Sequence, residues 1–162
     1  MERVNSHKHL GLILSSGLDW SDQIKEVCLK ANRKLSVLRS VKLLSRQTLD
    51  LLYKLTVRSV IDYAFPVYYK TLKQTEMSRL ENLQYRAAKI VSGALHFTSK
   101  EKLYEELGWE TLNERGNLLS LNIFHKIHLF ETRPLIRNCM PILNMCDNYE
   151  IRIKFTYEDN SF

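Results

Sequence analysis

Hydrophobic and polar positions along this chain follow the period of an α-helix over most of its length. In residues 21–42, apolar side chains recur at spacings of three and four, which places them on one helix face. Similar patterns cover residues 45–63, with Ser45 as N-cap, and residues 75–91. Pro66 ends or kinks the second helix, and Gly93 is a stop signal for the third.

Two capping boxes indicate two further helices. The sequence T-S-K-E at residues 98–101 opens a short helix that ends at Gly108. The sequence T-L-N-E at residues 111–114 opens a fifth helix that continues to Phe130. Five helices joined by short loops predict a mainly α protein, folded as an irregular helical bundle.

Both ends of the chain carry a β pattern. The apolar run at residues 8–14 stops at a Ser-Ser-Gly turn and predicts a short N-terminal strand. A single strand before a helical chain lacks a partner, as the last strand of a larger sheet would. After Pro134 and Pro141, residues 149–157 alternate with a period of two, which indicates a possible C-terminal strand.

Size and composition favour one intracellular domain. A chain of 162 residues with 44% hydrophobic residues can bury a core. No apolar run approaches the roughly 20 residues that span a bilayer, and residues 1–5 lack the apolar stretch of a signal peptide. We therefore expect no membrane contact.

The candidate metal ligands are too dispersed to predict a metal site. Cys28, Cys139 and Cys146 are odd in number and widely spaced, which indicates free thiols. His125 and His128 share a helix face but have no acidic or cysteine companion. We expect Cys28 to pack on the apolar side of the first helix.

Positive charge is concentrated in one segment. The chain has a net charge of +6, and residues 23–46 alone sum to +6, because Glu26 is their only acidic residue. A cationic side on the first helix would suit a nucleic-acid backbone, and the alternative is a solvated helix face. The cations are Lys25, Lys30, Arg33, Lys34, Arg39, Lys42 and Arg46.

No catalytic motif is present in the sequence. It contains no Asp-Asp pair, no G-x-S-x-G elbow, no Walker loop and no G-x-G-x-x-G. Asp19 and Asp22 lie at a helix start, where acidic residues favour the helix dipole. Glu105 and Glu106 are adjacent, so they point in different directions from a helix. We expect no enzymatic activity from this chain alone.

The order of several short blocks resembles a known family. These blocks are K-H-L-G-L-I-L-S-S-G-L-D-W at residues 8–20, L-Y-K-L-T-V-R-S-V-I-D-Y-A-F-P-V-Y-Y at 52–69, L-E-N-L-Q-Y-R-A-A-K-I-V-S-G at 80–93 and F-T-S-K-E-K-L-Y-E-E-L-G-W at 97–109. They resemble the region after the catalytic palm in reverse transcriptases of non-LTR (LINE, jockey-like) retrotransposons. The resemblance implies that the chain starts after the catalytic aspartates, which in the parent RNA-directed DNA polymerase would hold Mg²⁺. The chain itself would need no cofactor.

The resemblance also divides the chain. Residues 1–18 would be a residual palm-edge strand, 19–132 a thumb-like helical bundle and 133–162 a poorly defined tail. Lys8, Leu10 and Gly11 would form a primer-grip-like strand, although His9 replaces the usual aromatic residue. A glycine within a strand also marks a bulge or a close backbone approach, so this alternative for Gly11 stays open.

The resemblance implies that the thumb would bind RNA or an RNA–DNA duplex and would adjoin the missing palm domain. The seven cations named above would contact phosphates. Arg79, Arg86 and Lys89 would extend that surface, unless they are solvated or paired with Glu76 and Glu81.

The aromatic residues around Pro66 also admit two interpretations. They would stack on unpaired bases or, as we expect, pack in the core. These residues are Tyr63, Phe65, Tyr68 and Tyr69. The alternative function for the chain is a non-catalytic structural or protein-interaction domain derived from a decayed mobile element.

Overall fold

The computed structural model describes residues 6–17, 19–94 and 97–129, with side chains as far as Ile127. It confirms a mainly helical chain with β structure at its N-terminal end. The strands are β1 (Ser6–His9) and β2 (Leu12–Ser15). The helices are α1 (Ser21–Ser40), α2 (Arg46–Tyr53), α3 (Ser59–Asp62), α4 (Phe65–Tyr68), α5 (Gln74–Ser92), α6 (Lys100–Leu107) and α7 (Leu112–Leu129).

The chain divides into two units, Met1–Phe124 and His125–Phe162. The described part of the second unit is the last five residues of α7. The strand predicted at residues 149–157, Cys139 and Cys146 lie outside the described residues. Among the residues that are described, no helix has the length and apolar character needed to cross a membrane.

The predicted β structure at the N-terminal end is confirmed, but it is a hairpin of two short strands and not one strand over residues 8–14. β1 and β2 pair antiparallel, with His9 opposite Leu12. Leu10 and Gly11 form the two-residue turn between them, with φ angles of 46° and 83°. Two positive φ angles are the mark of a type I′ turn, which matches the twist of the flanking strands.

Contacts from two helical segments hold the hairpin in place. The hydroxyl of Tyr63 donates to the carbonyl of Leu10 at 2.5 Å. A Cβ at Gly11 would lie 3.5 Å from the Tyr63 ring, so the ring covers the turn. The backbone N–H of Ile13 donates to Oε1 of Gln23, a buried residue of α1, at 2.9 Å. The hairpin therefore packs on the N-terminal end of α1.

The two long helices α1 and α5 lie side by side and run parallel. Ser21, at the start of α1, donates to Glu76 near the start of α5 at 2.6 Å. Further along, Arg86 donates to Asn32 at 3.0 Å. The buried side chains between these helices and their neighbours form one core, as the period of the sequence requires. From α1 and α5 they include Ile24, Val27, Ala31, Leu35, Leu38, Leu80, Leu83, Ala87, Ala88 and Val91.

The second predicted helix contains a π-helical turn, Lys54–Arg58, between α2 and α3. The buried residues of this stretch are Leu49, Tyr53, Val57 and Ile61, each four positions after the last. Because an α-helix turns once in 3.6 residues, a strict spacing of four drifts around its surface. One wider turn reduces that drift and keeps all four side chains in the core.

An aromatic contact joins the loop between α6 and α7 to α2. The rings of Tyr53 and Trp109 stack with centroids 4.0 Å apart. The indole N–H of Trp109 donates to Asp50 at 2.8 Å. Gln84 of α5 accepts from the Tyr53 hydroxyl at 3.0 Å and donates to the carbonyl of Glu110 at 2.7 Å. These bonds satisfy buried polar groups at the centre of the bundle.

Most of the predicted caps are confirmed. The Ser45 side chain accepts from the N–H of Thr48, and Gly93 and Gly108 have positive φ angles after α5 and α6. Thr111 and Glu114 form the capping box of α7 with bonds of 2.8 and 3.3 Å. The capping box predicted at residues 98–101 is wrong, because the N-cap of α6 is Ser99 and its side chain makes no capping bond.

Candidate nucleic-acid interface

The seven cations predicted to bind phosphate are all exposed, but they do not share one side of the protein. Successive residues of a helix turn by about 100°, which places Lys30 and Lys34 on one flank of the buried stripe of α1. Lys25 and Arg39 fall on the other flank, and Arg33 points away from the core. The expectation of one cationic side on α1 is therefore wrong.

Three of the seven cations lie beside carboxylates. Lys25 contacts Asp22 at 2.9 Å and Lys30 contacts Glu26 at 3.2 Å, both within α1. Arg46 bonds to the carboxylate of Glu106 at 2.7 Å and to its carbonyl at 3.0 Å. Exposed pairs of this kind contribute little stability, but they offset the positive charge locally.

The other four have no carboxylate partner among the described residues, and their settings differ. Lys42 is exposed in the turn after α1. Lys34 borders an apolar cleft of about 220 Å³ between α1 and α2. The rest of that lining is Val37, Leu38, Val41, Leu52 and Thr56. Lys34 is thus a single charge beside an apolar surface.

Arg39 lies on the side of α1 that faces α5, where further cations join it. Arg39, Arg86 and Lys89 line a cleft of about 460 Å³ whose remaining lining residues are Ile90 and Ala94. Arg79 lies seven residues before Arg86, which is about two helical turns, and therefore on the same flank of α5. We call Arg39, Arg79, Arg86 and Lys89 the seam cations, because they border the contact between two parallel helices.

Polar contacts orient the seam cations without neutralising them. Nη1 of Arg86 donates to the side-chain oxygen of Asn32, a neutral partner. Nζ of Lys89 lies 4.2 Å from the centre of the Tyr85 ring, within the range of a cation–π interaction. Burial raises the pKa of the Cys28 thiol on α1, and the nearby positive charge of Arg79 opposes that shift.

Glu76 and Glu81, the alternative partners of these cations, form their hydrogen bonds elsewhere. Glu76 accepts from Ser21 and from the backbone N–H of Lys73. Glu81 accepts from the N–H of Leu112 at the start of α7 at 3.0 Å. In the described part of the chain, neither glutamate forms an ion pair with Arg79 or Arg86, so the seam keeps its positive charge.

Two other arginines are held by carboxylates. Arg58, nine-tenths buried, bonds to Glu110 at 3.0 Å. Arg115 bonds to Asp62 at 2.8 and 3.2 Å. That bond raises the pKa of the Arg115 guanidinium, although burial opposes the shift. These arginines join α7 to the second helical segment and are not free to bind a ligand.

The primer-grip-like residues lie at the opposite end of α1 from the cleft. Lys8 is exposed on β1, whereas Leu10 and Gly11 belong to the turn and not to a strand. The Leu10 side chain is 78% exposed at the tip of the hairpin. Because α1 has 20 residues, about 30 Å separates its two ends.

The aromatic residues around Pro66 belong mainly to the core, as expected. Phe65, Tyr68 and Tyr69 are buried and contact one another through their rings. Tyr63 is the exception, since it is 55% exposed and bonds to the hairpin. Base stacking by the three buried rings would require them to leave the core.

The chemistry available at the seam is anion binding. Arg39, Arg86 and Lys89 line one cleft, and none of the residues lining that cleft is acidic. Within the described residues, no three His, Cys, Asp or Glu side chains are grouped so as to hold a metal ion. The spacing of Arg79, Arg86 and Lys89 can be read from the sequence, but the approach of Arg86 and Lys89 to Arg39 cannot.

No protein-family model, no curated protein and no solved structure matches this chain.

Proposed function

We propose that this chain binds the sugar–phosphate backbone of an RNA duplex or an RNA–DNA hybrid along the seam between α1 and α5. The observation that carries the proposal is that Arg39, Arg86 and Lys89 line one cleft, with Arg79 on the same flank of α5. None of the four has a carboxylate partner among the described residues. Cations that neutralise phosphates release counterions, which gives affinity without sequence preference. The site would therefore hold a duplex and not read its bases.

The resemblance to the region after the palm supports a more specific role. In that role the chain is the thumb-like part of a retrotransposon RNA-directed DNA polymerase, in the nucleus or the cytoplasm. It would hold the template–primer duplex for a palm domain, and by itself it would bind without polymerising. The sequence contains no Asp-Asp pair, which agrees with a chain that binds the duplex while the palm domain polymerises.

The test is the salt dependence of binding by the full chain. We expect fluorescence anisotropy with a labelled RNA–DNA hybrid to give an affinity that falls steeply as salt rises. Four phosphate contacts correspond to a slope of about −3 to −4 in a plot of log K against log salt. The affinity should be the same for hybrids of unrelated sequence. Absence of binding at low salt would rule the proposal out.

A matched pair of variants locates the interface. Arg86→Gln removes one seam cation and should reduce the salt slope by about one, for all sequences alike. Arg33→Gln removes the same charge from an exposed position of α1 that points away from the core. We expect Arg33→Gln to leave the slope unchanged. Equal losses in both variants would place the interface away from the seam.

The alternative is a structural or protein-interaction role, and the apolar cleft between α1 and α2 favours it. Val37, in the lining of this cleft, is 64% exposed, and exposed apolar patches mark interaction surfaces. Only Lys34 brings charge to this cleft, whereas three cations line the other. The nucleic-acid function is therefore the better supported one. Binding that persists unchanged at high salt would favour the alternative.

A further inference from the structure

Positive charge on the seam is densest at one end. Arg39, Arg86 and Lys89 share one cleft, whereas Arg79 lies further back along α5. Elsewhere on α1, Lys25 and Lys30 are paired with carboxylates of the same helix. A duplex backbone presents evenly spaced charges, so a local concentration of three cations suits a group with more charge than an internal phosphate.

The helix ends allow the charge of this cleft to be assessed. Arg39 lies in the last turn of α1 and Lys89 in the last turn of α5. Each helix C-terminus contributes about −0.5 of an elementary charge, so two ends reduce the three cations to roughly +2. An internal phosphodiester carries one negative charge, whereas a phosphate monoester carries about −1.5 to −2 at neutral pH. The monoester is the better match.

The remaining lining agrees with a small phosphorylated group. Ile90 and Ala94 provide apolar surface beside the three cations. Apolar walls lower the local dielectric and so strengthen the attraction between opposite charges. Arg86 is oriented by Asn32 and Lys89 by the Tyr85 ring, which reduces the entropy lost when an anion binds.

We propose that the cleft lined by Arg39, Arg86 and Lys89 binds the phosphorylated end of a nucleic-acid strand. The ligand is a terminal phosphate monoester, at either the 5′ or the 3′ end. This inference rests on the proposed function, because three of the four seam cations line the cleft and would contact the end of the bound duplex, whereas Arg79 would contact the backbone behind it. It adds a preference for chain ends that backbone binding alone does not give.

The experiment compares three versions of one blunt RNA–DNA hybrid, which carry a 5′-phosphate, a 3′-phosphate or hydroxyl groups alone. The full chain should bind one phosphorylated version about tenfold more tightly than the hydroxyl version, the effect of one well-placed charge-assisted contact. Which version gains identifies the end that enters the cleft. Equal affinity for all three would overturn this inference, although salt-dependent binding would still support the proposed function.

Single substitutions at the cleft and beside it assign the preference to the cleft. Arg86→Gln and Lys89→Gln should each remove the preference for a phosphorylated end, whereas Lys89→Arg should keep it. The control is Arg79→Gln, which should weaken binding to all three hybrids alike. A preference that survives both neutralising variants would overturn the inference. Failure of the unaltered chain to bind any hybrid would overturn the proposed function as well.

Discussion

A single residue, Leu10, shows how backbone conformation conflicts with residue type in this protein. Its φ of 46° lies in the left-handed region, which costs an L-residue with a side chain roughly 1–2 kcal/mol. Packing of the Leu10 side chain does not offset this cost, because the side chain is 78% exposed. The bond from the Tyr63 hydroxyl to the Leu10 carbonyl holds the turn in place.

Replacing Leu10 should therefore stabilise the protein. Leu10→Asn creates the Asn-Gly pair that type I′ turns prefer, and we expect it to raise the free energy of unfolding by about 1 kcal/mol. Chemical denaturation followed by circular dichroism measures the change. The control is Leu14→Asn at a strand position that is 37% exposed and has no positive φ angle, and this change should not stabilise the protein. A loss of stability in Leu10→Asn would contradict this account of the turn.

At the scale of elements, the contact between α7 and the segment after α4 depends on a buried glycine. A Cβ at Gly116 would lie 2.4 Å from Cδ2 and 2.7 Å from Cε2 of Tyr69. Tyr69 is itself buried, and its hydroxyl donates to Asn117 at 3.0 Å. The helix backbone therefore approaches the tyrosine ring more closely than any other residue at position 116 would permit.

This contact reverses the usual effect of a glycine-to-alanine change in a helix. In an open helix, alanine is favoured over glycine by about 1 kcal/mol. We expect Gly116→Ala to destabilise the protein by about 1–3 kcal/mol, because the ring must move within a packed core. Thermal unfolding would show a lower Tm.

A second variant of α7 serves as the reference for that measurement. Asn113 is exposed near the start of the same helix, so Asn113→Ala should change stability by less than about 0.5 kcal/mol. An increase of Tm in Gly116→Ala would show that α7 does not pack on Tyr69 as described.

At the scale of the whole molecule, buried tyrosines make the stability of the bundle sensitive to alkaline pH. Burial raises the pKa of Tyr68 to about 12 and the pKa values of Tyr53 and Tyr104 further above their usual range. These three side chains belong to three different helices, α2, α4 and α6. In the unfolded chain each would ionise near its ordinary pKa of about 10.

The sign of the effect follows from proton binding. Above pH of about 10 the unfolded chain releases these protons while the folded chain keeps them, so the free energy of unfolding falls as pH rises. Each tyrosine contributes a slope of up to about 1.4 kcal/mol per pH unit. We expect cooperative loss of helical circular dichroism between about pH 10 and 12.

Substitution of one of these tyrosines provides the comparison. Tyr68→Phe removes one titrating group and should make the dependence of stability on pH shallower by about a third. Ionisation of the buried tyrosines, followed by absorbance after exposed ones such as Tyr63 have ionised, should coincide with unfolding in the unaltered chain. Ionisation of all tyrosines near pH 10 with the helices intact would contradict the burial described.

The sequence by itself determined the helices and most of their ends. Apolar spacing, Ser45, Gly93, Gly108 and the Thr111 capping box act within a few residues, so they can be recognised without tertiary information. The sequence also determined that positive charge is concentrated in residues 23–46 of the chain. It did not reveal the hairpin, because a leucine occupies a turn position that asparagine or glycine usually marks.

Only the tertiary structure decided which cations come together. The sequence grouped Arg39 with its neighbours on α1, whereas the packing of α5 against α1 placed Arg39 beside Arg86 and Lys89. The parallel arrangement of α1 and α5 depends on contacts between side chains that are roughly fifty residues apart in the sequence, such as Ser21 with Glu76 and Asn32 with Arg86. Local periodicity gives the direction of a side chain around its own helix, whereas the neighbour that it meets is decided by how the helices pack.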